Sequence, residues 1–166
     1  MTDLSLALSP LTPADMPAVE KLDERAFGPG RFARTAYRLR EGVAPDFSLS
    51  FAARVGTFLV GANRMTWIRC GEVDGLLLGP LTVDPSFRSR GIGAALAAKS
   101  IEAAASSKAG LVLLVGDAPY YARLGFKPVP MGRLTLPGPV DPHRLLCREL
   151  REGAMAAAKG AVTRAR

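Results

Sequence analysis

The sequence predicts a small α/β domain. Three segments carry that expectation: an apolar run at Leu76–Val83, an alanine-rich helix at Ile92–Ala105, and a second apolar run at Leu111–Val115. The first run is nearly continuous, as expected of a strand buried on both faces. In the helix, Lys99, Glu102 and Ser106 form one polar stripe, Leu96 and Ile101 supply bulk, and the alanines permit close packing on a sheet. A short buried strand after such a helix fits a parallel β-α-β connection.

The other elements follow in chain order. Thr12-Pro13 reads as a helix start, a hydroxyl N-cap followed by proline at the first helical position. This helix runs to about Phe27, with Met16, Val19, Leu22 and Phe27 on its apolar face, and Gly28-Pro29-Gly30 breaks it. A second, more polar helix is expected from Arg31 to Arg40, ended by Gly42. Phe47–Arg54 and Thr57–Ile68 have strand composition, with a turn at Val55-Gly56, and Glu72–Gly75 reads as another turn. Pro80 lies inside the Leu76–Val83 run and has no N–H for a sheet ladder. With Gly79 beside it, a bulge and a local loss of pairing are expected there, the alternative being that the strand ends at Leu78. A short helix from Pro119 to Leu124 ends at Gly125, and a proline-punctuated stretch leads to a last strand near Arg144–Leu150. Residues 1–150 thus read as one domain, and the Ala-rich tail, 151–166, reads as frayed or disordered.

Composition narrows the function classes. The chain has 166 residues, of which 48% are hydrophobic, so one ordered core is expected. Cys70 and Cys147 match no metal-ligand spacing and read as two free core thiols. No stretch approaches the ~18 apolar residues of a membrane span. The N-terminus has no basic n-region and carries Asp3, so a signal peptide is not expected and the cytoplasm is the default location. The formal charge of +7 invites a nucleic-acid reading. The basic residues are scattered without interleaved aromatics, however, and part of the excess sits in the tail as Arg151, Lys159, Arg164 and Arg166 against Glu152, so nucleic acid is disfavoured as a partner.

The segment between the long apolar run and the alanine-rich helix carries the chemistry. In Arg88-Ser89-Arg90-Gly91-Ile92-Gly93-Ala94, glycines stand where a backbone passes close to a ligand. The following helix aims its unpaired N–H groups and positive dipole end back at this loop, a geometry that binds phosphate without a metal. Arg88 and Arg90 add charge and directional donors. Gly91-Ile92-Gly93 also gives G-x-G, but a dinucleotide fingerprint starts at the strand end and has a third glycine where this sequence has Leu96. No P-loop lysine follows the glycines.

Arg88-x-x-Gly91-x-Gly93 resembles the R/Q-x-x-G-x-G/A pyrophosphate loop of the GNAT acetyltransferase superfamily. Leu81–Pro85 is similar to that family's fourth strand and its exit, and Tyr120–Phe126 to its Y-x-x-x-G-F segment. The resemblance covers about residues 10 to 150. Leu77-Leu78-Gly79-Pro80-Leu81 followed by Gly116-Asp117-Ala118-Pro119-Tyr120-Tyr121 looks like a mostly bacterial branch of N-acetyltransferases. The resemblance implies a mixed, mostly antiparallel twisted sheet of about six or seven strands, splayed between the fourth and fifth, with about four flanking helices. It implies acetyl-CoA as co-substrate and no metal. Backbone groups of Leu81, Thr82 and Val83 would face the acetyl and pantetheine portion, and those across Ser89, Arg90, Gly91, Ile92, Gly93 and Ala94 would hold the pyrophosphate. Tyr121 aligns with the family tyrosine near the CoA sulfur, where a phenol protonates the departing thiolate, the alternative being a packing role. Tyr120 reads as core.

The implied reaction is acetyl transfer to a primary amine, of a small molecule or a peptide, by direct attack in a ternary complex. A non-catalytic GNAT-like module that binds a CoA ester or a partner is the alternative. No general base is evident. Asp117 reads as a helix cap or a base, Asp84 as ordering the strand exit, Glu72 and Asp74 as solvated turn residues, and His143 as part of an Asp-Pro-His turn. The acceptor walls would come from Phe27–Arg40 and Pro130–Pro142. Arg31, Arg34 and Arg38 at i, i+3 and i+7 read as a cationic face or as an ordinary solvated one. Oligomeric state is open, a homodimer included.

Overall fold

The computed structural model describes residues 5–165. Residues 1–4, Asp3 among them, and Arg166 lie outside the described residues. A mixed sheet of nine strands forms the body, ordered β1-β2-β3-β4-β5-β8-β6, with β9 on β3 and β7 on β9. The strands are β1 Leu6–Pro10, β2 Phe51–Val55, β3 Phe58–Cys70, β4 Val73–Val83, β5 Leu111–Val115, β6 Lys127–Pro128, β7 Leu134–Thr135, β8 Leu145–Glu149 and β9 Gly160–Arg164. The helices are α1 Met16–Phe27, α2 Thr35–Arg40, α3 Ile92–Ala104, α4 Ala118–Ala122 and the single-turn α5 Ala154–Ala157. The mixed, largely antiparallel sheet is as expected, with more strands.

The central β-α-β unit forms as the sequence indicates. β4 and β5 are parallel, with Gly75, Leu76 and Leu77 opposite Leu111, Val112 and Leu113. The connecting helix α3 buries Ile92, Leu96, Ala97, Ser100, Ile101 and Ala104, an i, i+4 stripe laid on the sheet. Gly61 of β3 makes that approach possible, because a Cβ there would lie 3.0 Å from Leu96 Cδ1. The Asn63 side-chain amide donates to Ser100 Oγ at 2.9 Å and fixes the helix along the strand.

The bulge expected at Gly79-Pro80 is present. Met65 pairs with Leu78 and Asn63 with Leu81, so Gly79 and Pro80 together oppose Arg64. Their peptide is cis. β4 continues past the bulge to Val83 along β3, whereas its pairing with β5 stops at Leu77. The two central strands therefore part beyond Leu77. Asp84 N donates to Val60 O at 2.8 Å. Since backbone groups alternate sides along a strand, Thr82 also faces β3, and the main-chain groups of Leu81 and Val83 face the opened gap.

Other expectations are corrected. The tail is built into the fold: β9 pairs antiparallel with Ile68–Cys70 of β3, Ala154, Ala158 and Val162 are buried, and α5 precedes the strand. The physical reason lies in β3, which is 13 residues long. β2 covers only Phe58–Asn63 of it, leaving an open edge near Cys70 for β9 to occupy. The helix expected over Arg31–Arg40 is two pieces, a 3-10 turn at Pro29–Ala33 and α2, separated by Arg34 in extended conformation. The turn expected at Glu72–Gly75 is confined to Gly71-Glu72, and β4 starts at Val73. β1, β6 and β7 had no counterpart in the sequence reading. Cys70 and Cys147 are buried free thiols, and among the described residues no helix is long and apolar enough to cross a membrane.

Candidate active site

Two cavities open where β4 leaves β5. The smaller, about 510 Å³, is lined by Leu81, Thr82 and Val83 of β4, by Phe87, Arg88 and Ser89, and by Gly91, Ile92, Gly93 and Ala94 at the start of α3. Phe27, Tyr120, Tyr121 and Arg123 close it. It brings together every residue singled out for cofactor contact except Arg90, whose guanidinium stands 5.3 Å from the centre of the Phe87 ring.

The loop is shaped to present main-chain donors. Asp84 accepts from Ser86 N at 2.9 Å, turning the chain as it leaves β4, and Arg25 pairs with the same carboxylate at 3.3 Å. Ser89 and Gly91 both have positive φ, 64° and 77°. Gly91 is the N-cap of α3, and no side chain caps it. The amides of the first helical turn have no intrahelical acceptor, so they point outward with the positive end of the helix dipole behind them. Gly93 is needed for close approach: a Cβ there would lie 2.9 Å from the Tyr120 hydroxyl.

Tyr120 and Tyr121 line both cavities, their rings edge to face at 4.9 Å. Tyr121 packs against Phe126 at 5.8 Å between ring centres, and over Gly116, where a Cβ would lie 2.5 Å from its ring. Burial pushes the Tyr121 phenol up to about 12, with Tyr120 and Asp117 adding to the shift and Arg144 opposing it. It is a protonated donor at any ordinary pH. Tyr120, read from sequence as core, is half-buried and faces the cavities as well.

The larger cavity, about 930 Å³, lies on the other side of the tyrosines. Its walls come from α1, the Phe27–Val43 segment, the Gly79-Pro80 bulge, the end of β5 and Pro139–Asp141. Its floor holds a charged cluster that sequence reasoning missed. Asp23, 2% exposed, accepts from Thr82 Oγ1 at 2.6 Å and from Arg64, whose other terminal nitrogen is 3.5 Å from Glu20. Burial raises the Asp23 carboxyl above its ordinary value, against the pull of Arg64 and Thr82. Arg40 lies near this pair, its Nη1 3.5 Å from where a Cβ on Gly79 would be. A signal for Asp23 was available, because it falls on the stripe of Met16, Val19 and Phe27 at helical spacing and so carries a carboxyl into the core.

The other candidate carboxylates are occupied or remote. Asp117 caps α4, accepting from Tyr120 N at 3.2 Å. Asp84, Glu72, Asp74 and His143 line neither cavity. Arg31, Arg34 and Arg38 do not share a face. Arg31 donates to Gly28 O at 2.7 Å, Arg34 stands over the Phe27 ring at 5.0 Å, and Arg38 donates to Pro137 O at 2.7 Å.

The comparisons with known proteins agree with this geometry. Residues 50–128, from the entry of β2 through β6, match the model of the acetyltransferase (GNAT) domain. An uncharacterized N-acetyltransferase of Escherichia coli (strain K12), YjhQ, is 32% identical over 119 residues. The chain belongs to the GNAT acetyltransferase family. The YjhQ match takes in 69% of this chain and 66% of YjhQ, so the chain spans about two thirds of that relative's length. Among solved structures, the GNAT family N-acetyltransferase YhbS of E. coli, in complex with CoA, superposes with a TM-score of 0.82, covering 99% of this chain and 92% of that one at 21% identity. A GNAT family acetyltransferase from Brucella melitensis, in complex with acetyl-CoA, gives 0.61 at 22% identity, covering 87% and 96%. At those identities the likeness is one of fold, and the GNAT fold accounts for the parting of β4 from β5.

Proposed function

We propose that the chain is an acetyl-CoA-dependent N-acetyltransferase that acetylates a primary amine by direct attack in a ternary complex. The observation that carries this reading is the free main-chain edge of β4 at Leu81 and Val83, which faces a gap ending at the uncapped N-terminus of α3. An edge of that kind suits an amide-bearing pantetheine arm, and a helix start suits the diphosphate beyond it. YhbS and the Brucella protein, which share the fold, were solved with CoA and acetyl-CoA.

On this reading the smaller cavity takes the co-substrate. The main chain of Leu81 and Val83 runs beside its thioester and pantetheine, that of Thr82 being turned to β3 against expectation, while the backbone from Ser89 through Ala94 holds the pyrophosphate, with Arg88 and Arg90 at the rim. The larger cavity takes the acceptor. The two meet at Tyr120 and Tyr121. The amine nitrogen attacks the thioester carbon, the C–S bond breaks, and the sulfur takes a proton from the Tyr121 hydroxyl, which its burial keeps protonated. A β4 amide aimed at the carbonyl oxygen stabilises the charge that develops there. Asp23 is held by Thr82 and Arg64, and Asp117 caps α4. We assign the proton released by the attacking amine to water.

The test is CoA thiol release from acetyl-CoA across a panel of primary amines. Amine-dependent thiol release with a matching acetylated product supports the reading. Acetyl-CoA binding with no release for any amine replaces the enzyme with a CoA-ester-binding module.

A further inference from the structure

The larger cavity contains a side chain that the mechanism leaves unused and whose inner nitrogen the fold leaves unpaired. Arg40, at the end of α2, lines the cavity beside the Gly79-Pro80 bulge. Its Nε is buried without a hydrogen-bond partner, and among the described residues its guanidinium makes no ion pair. The nearby carboxylate is Asp23, but both of its oxygens are taken, one by Thr82 and the other by Arg64. Burial, with the charge of Arg64 beside it, lowers Arg40 to about 10, so at neutral pH it stays cationic. A half-buried guanidinium whose inner nitrogen has neither an anion nor an acceptor is costly until something else completes it.

We propose that Arg40 is the anchor for a carboxylate on the acceptor, so that the amine acetylated here belongs to a short amino acid rather than to a simple alkylamine. This rests on the assignment of the larger cavity to the acceptor. The planar fork of arginine matches a carboxylate bidentately, and it does so best where water is excluded. Gly79, against which Arg40 lies, is folded close to Leu81 by the bulge, where a Cβ on Gly79 would lie 3.6 Å from Leu81 N. A carboxylate on Arg40 therefore leaves only a short spacer to a nitrogen at the β4 gap, the reach of an α- to γ-amino acid. Asp23 supports the arrangement by holding Arg64, which leaves Arg40 as the fork open to the incoming carboxylate.

The experiment compares matched pairs of acceptors, each an amino acid and the amine left when its carboxylate is removed, with wild type, Arg40→Met and Arg40→Lys. The wild-type kcat/KM is expected to favour the carboxylate member by at least tenfold. Arg40→Met brings the ratio near one, mainly through KM, and Arg40→Lys falls between, since it keeps the charge without the fork. Acetyl-CoA affinity by calorimetry reports whether each variant is folded. In parallel, binding of the amino acids to the CoA-loaded protein is measured by calorimetry, which needs no turnover. Wild-type preference for the decarboxylated amines, or equal amino-acid binding by wild type and Arg40→Met, overturns the proposal. Amino-acid binding that depends on Arg40 but is followed by no thiol release sustains the anchor while the transferase reading fails.

Discussion

The phenol oxygen of Tyr120 occupies the space that a side chain on Gly93 would enter, since a Cβ on Gly93 would lie 2.9 Å from it. This close approach brings α4 against the first turn of α3 at the wall of the smaller cavity. The obstructing atom is the tip of a side chain, so Gly93→Ala is expected to leave the fold intact and displace the phenol into the cavity. Acetyl-CoA affinity falls about tenfold, and the loss is smaller in a Tyr120→Phe background, where the oxygen is gone. Calorimetric Kd values for the four combinations give the coupling directly. Equal losses in both backgrounds would mean that the contact does not govern the cavity.

Tyr121→Phe is expected to lower kcat about 100-fold with little change in the KM for acetyl-CoA, within the usual range for removal of a general acid. The sign of the pH effect follows from burial, which pushes the phenol up to about 12. The protonated form is the useful one and persists above the ordinary tyrosine value. The wild-type rate should therefore rise with pH as the acceptor amine deprotonates, with no decline near pH 10. A pH–kcat profile that turns down at pH 10 would show a phenol that is not so buried.

Asp23→Ala should destabilise the fold by about 3–5 kcal/mol, because it strands the buried Arg64 charge. Arg64 is 15% exposed at its side chain and Thr82 loses the acceptor of its hydroxyl as well. Replacing Arg64 with Met in the same chain should restore much of the loss, as both charges then leave together. Urea unfolding of the single and double variants measures both; an unaffected midpoint in Asp23→Ala would mean that the cluster is solvated.

Cys70 and Cys147 are pushed up to about 12 by burial. Alkylation by iodoacetamide at pH 8 should be slow in the native protein and rapid in urea, since the thiolate is the reactive form. The fold favours the neutral thiols, so their contribution to stability is whole below about pH 9 and is lost as pH rises toward the raised values. Rapid native alkylation at pH 8 would place at least one thiol outside the core.

The parts of the structure written in local chemistry were legible from the sequence. A proline inside an apolar strand can only mark a bulge or an edge, and Gly79-Pro80 sits opposite the single residue Arg64. The glycines at Gly91 and Gly93 marked a close approach, and they line the smaller cavity. Features set by distant partners were not legible. β9 looked like a frayed tail because its one buried large side chain, Val162, gives no periodic signal, and its place depends on where β2 stops covering β3. Arg34 broke the expected second helix, and with it the supposed row of Arg31, Arg34 and Arg38. Arg40 became notable only when the fold surrounded it without supplying an anion.

The most direct measurement is calorimetric titration of acetyl-CoA into wild type, Gly91→Ala and Gly91→Glu. Nothing lies within 4 Å of a Cβ at Gly91, so alanine adds only the strain of its positive φ, about 1 kcal/mol, while glutamate sets a carboxylate where the pyrophosphate is expected. One site with a Kd between about 1 μM and 1 mM is expected for wild type, with a modest loss in Gly91→Ala and no detectable binding in Gly91→Glu. Silence from the wild type at millimolar acetyl-CoA, or undiminished affinity in Gly91→Glu, would contradict a diphosphate cradle at the start of α3.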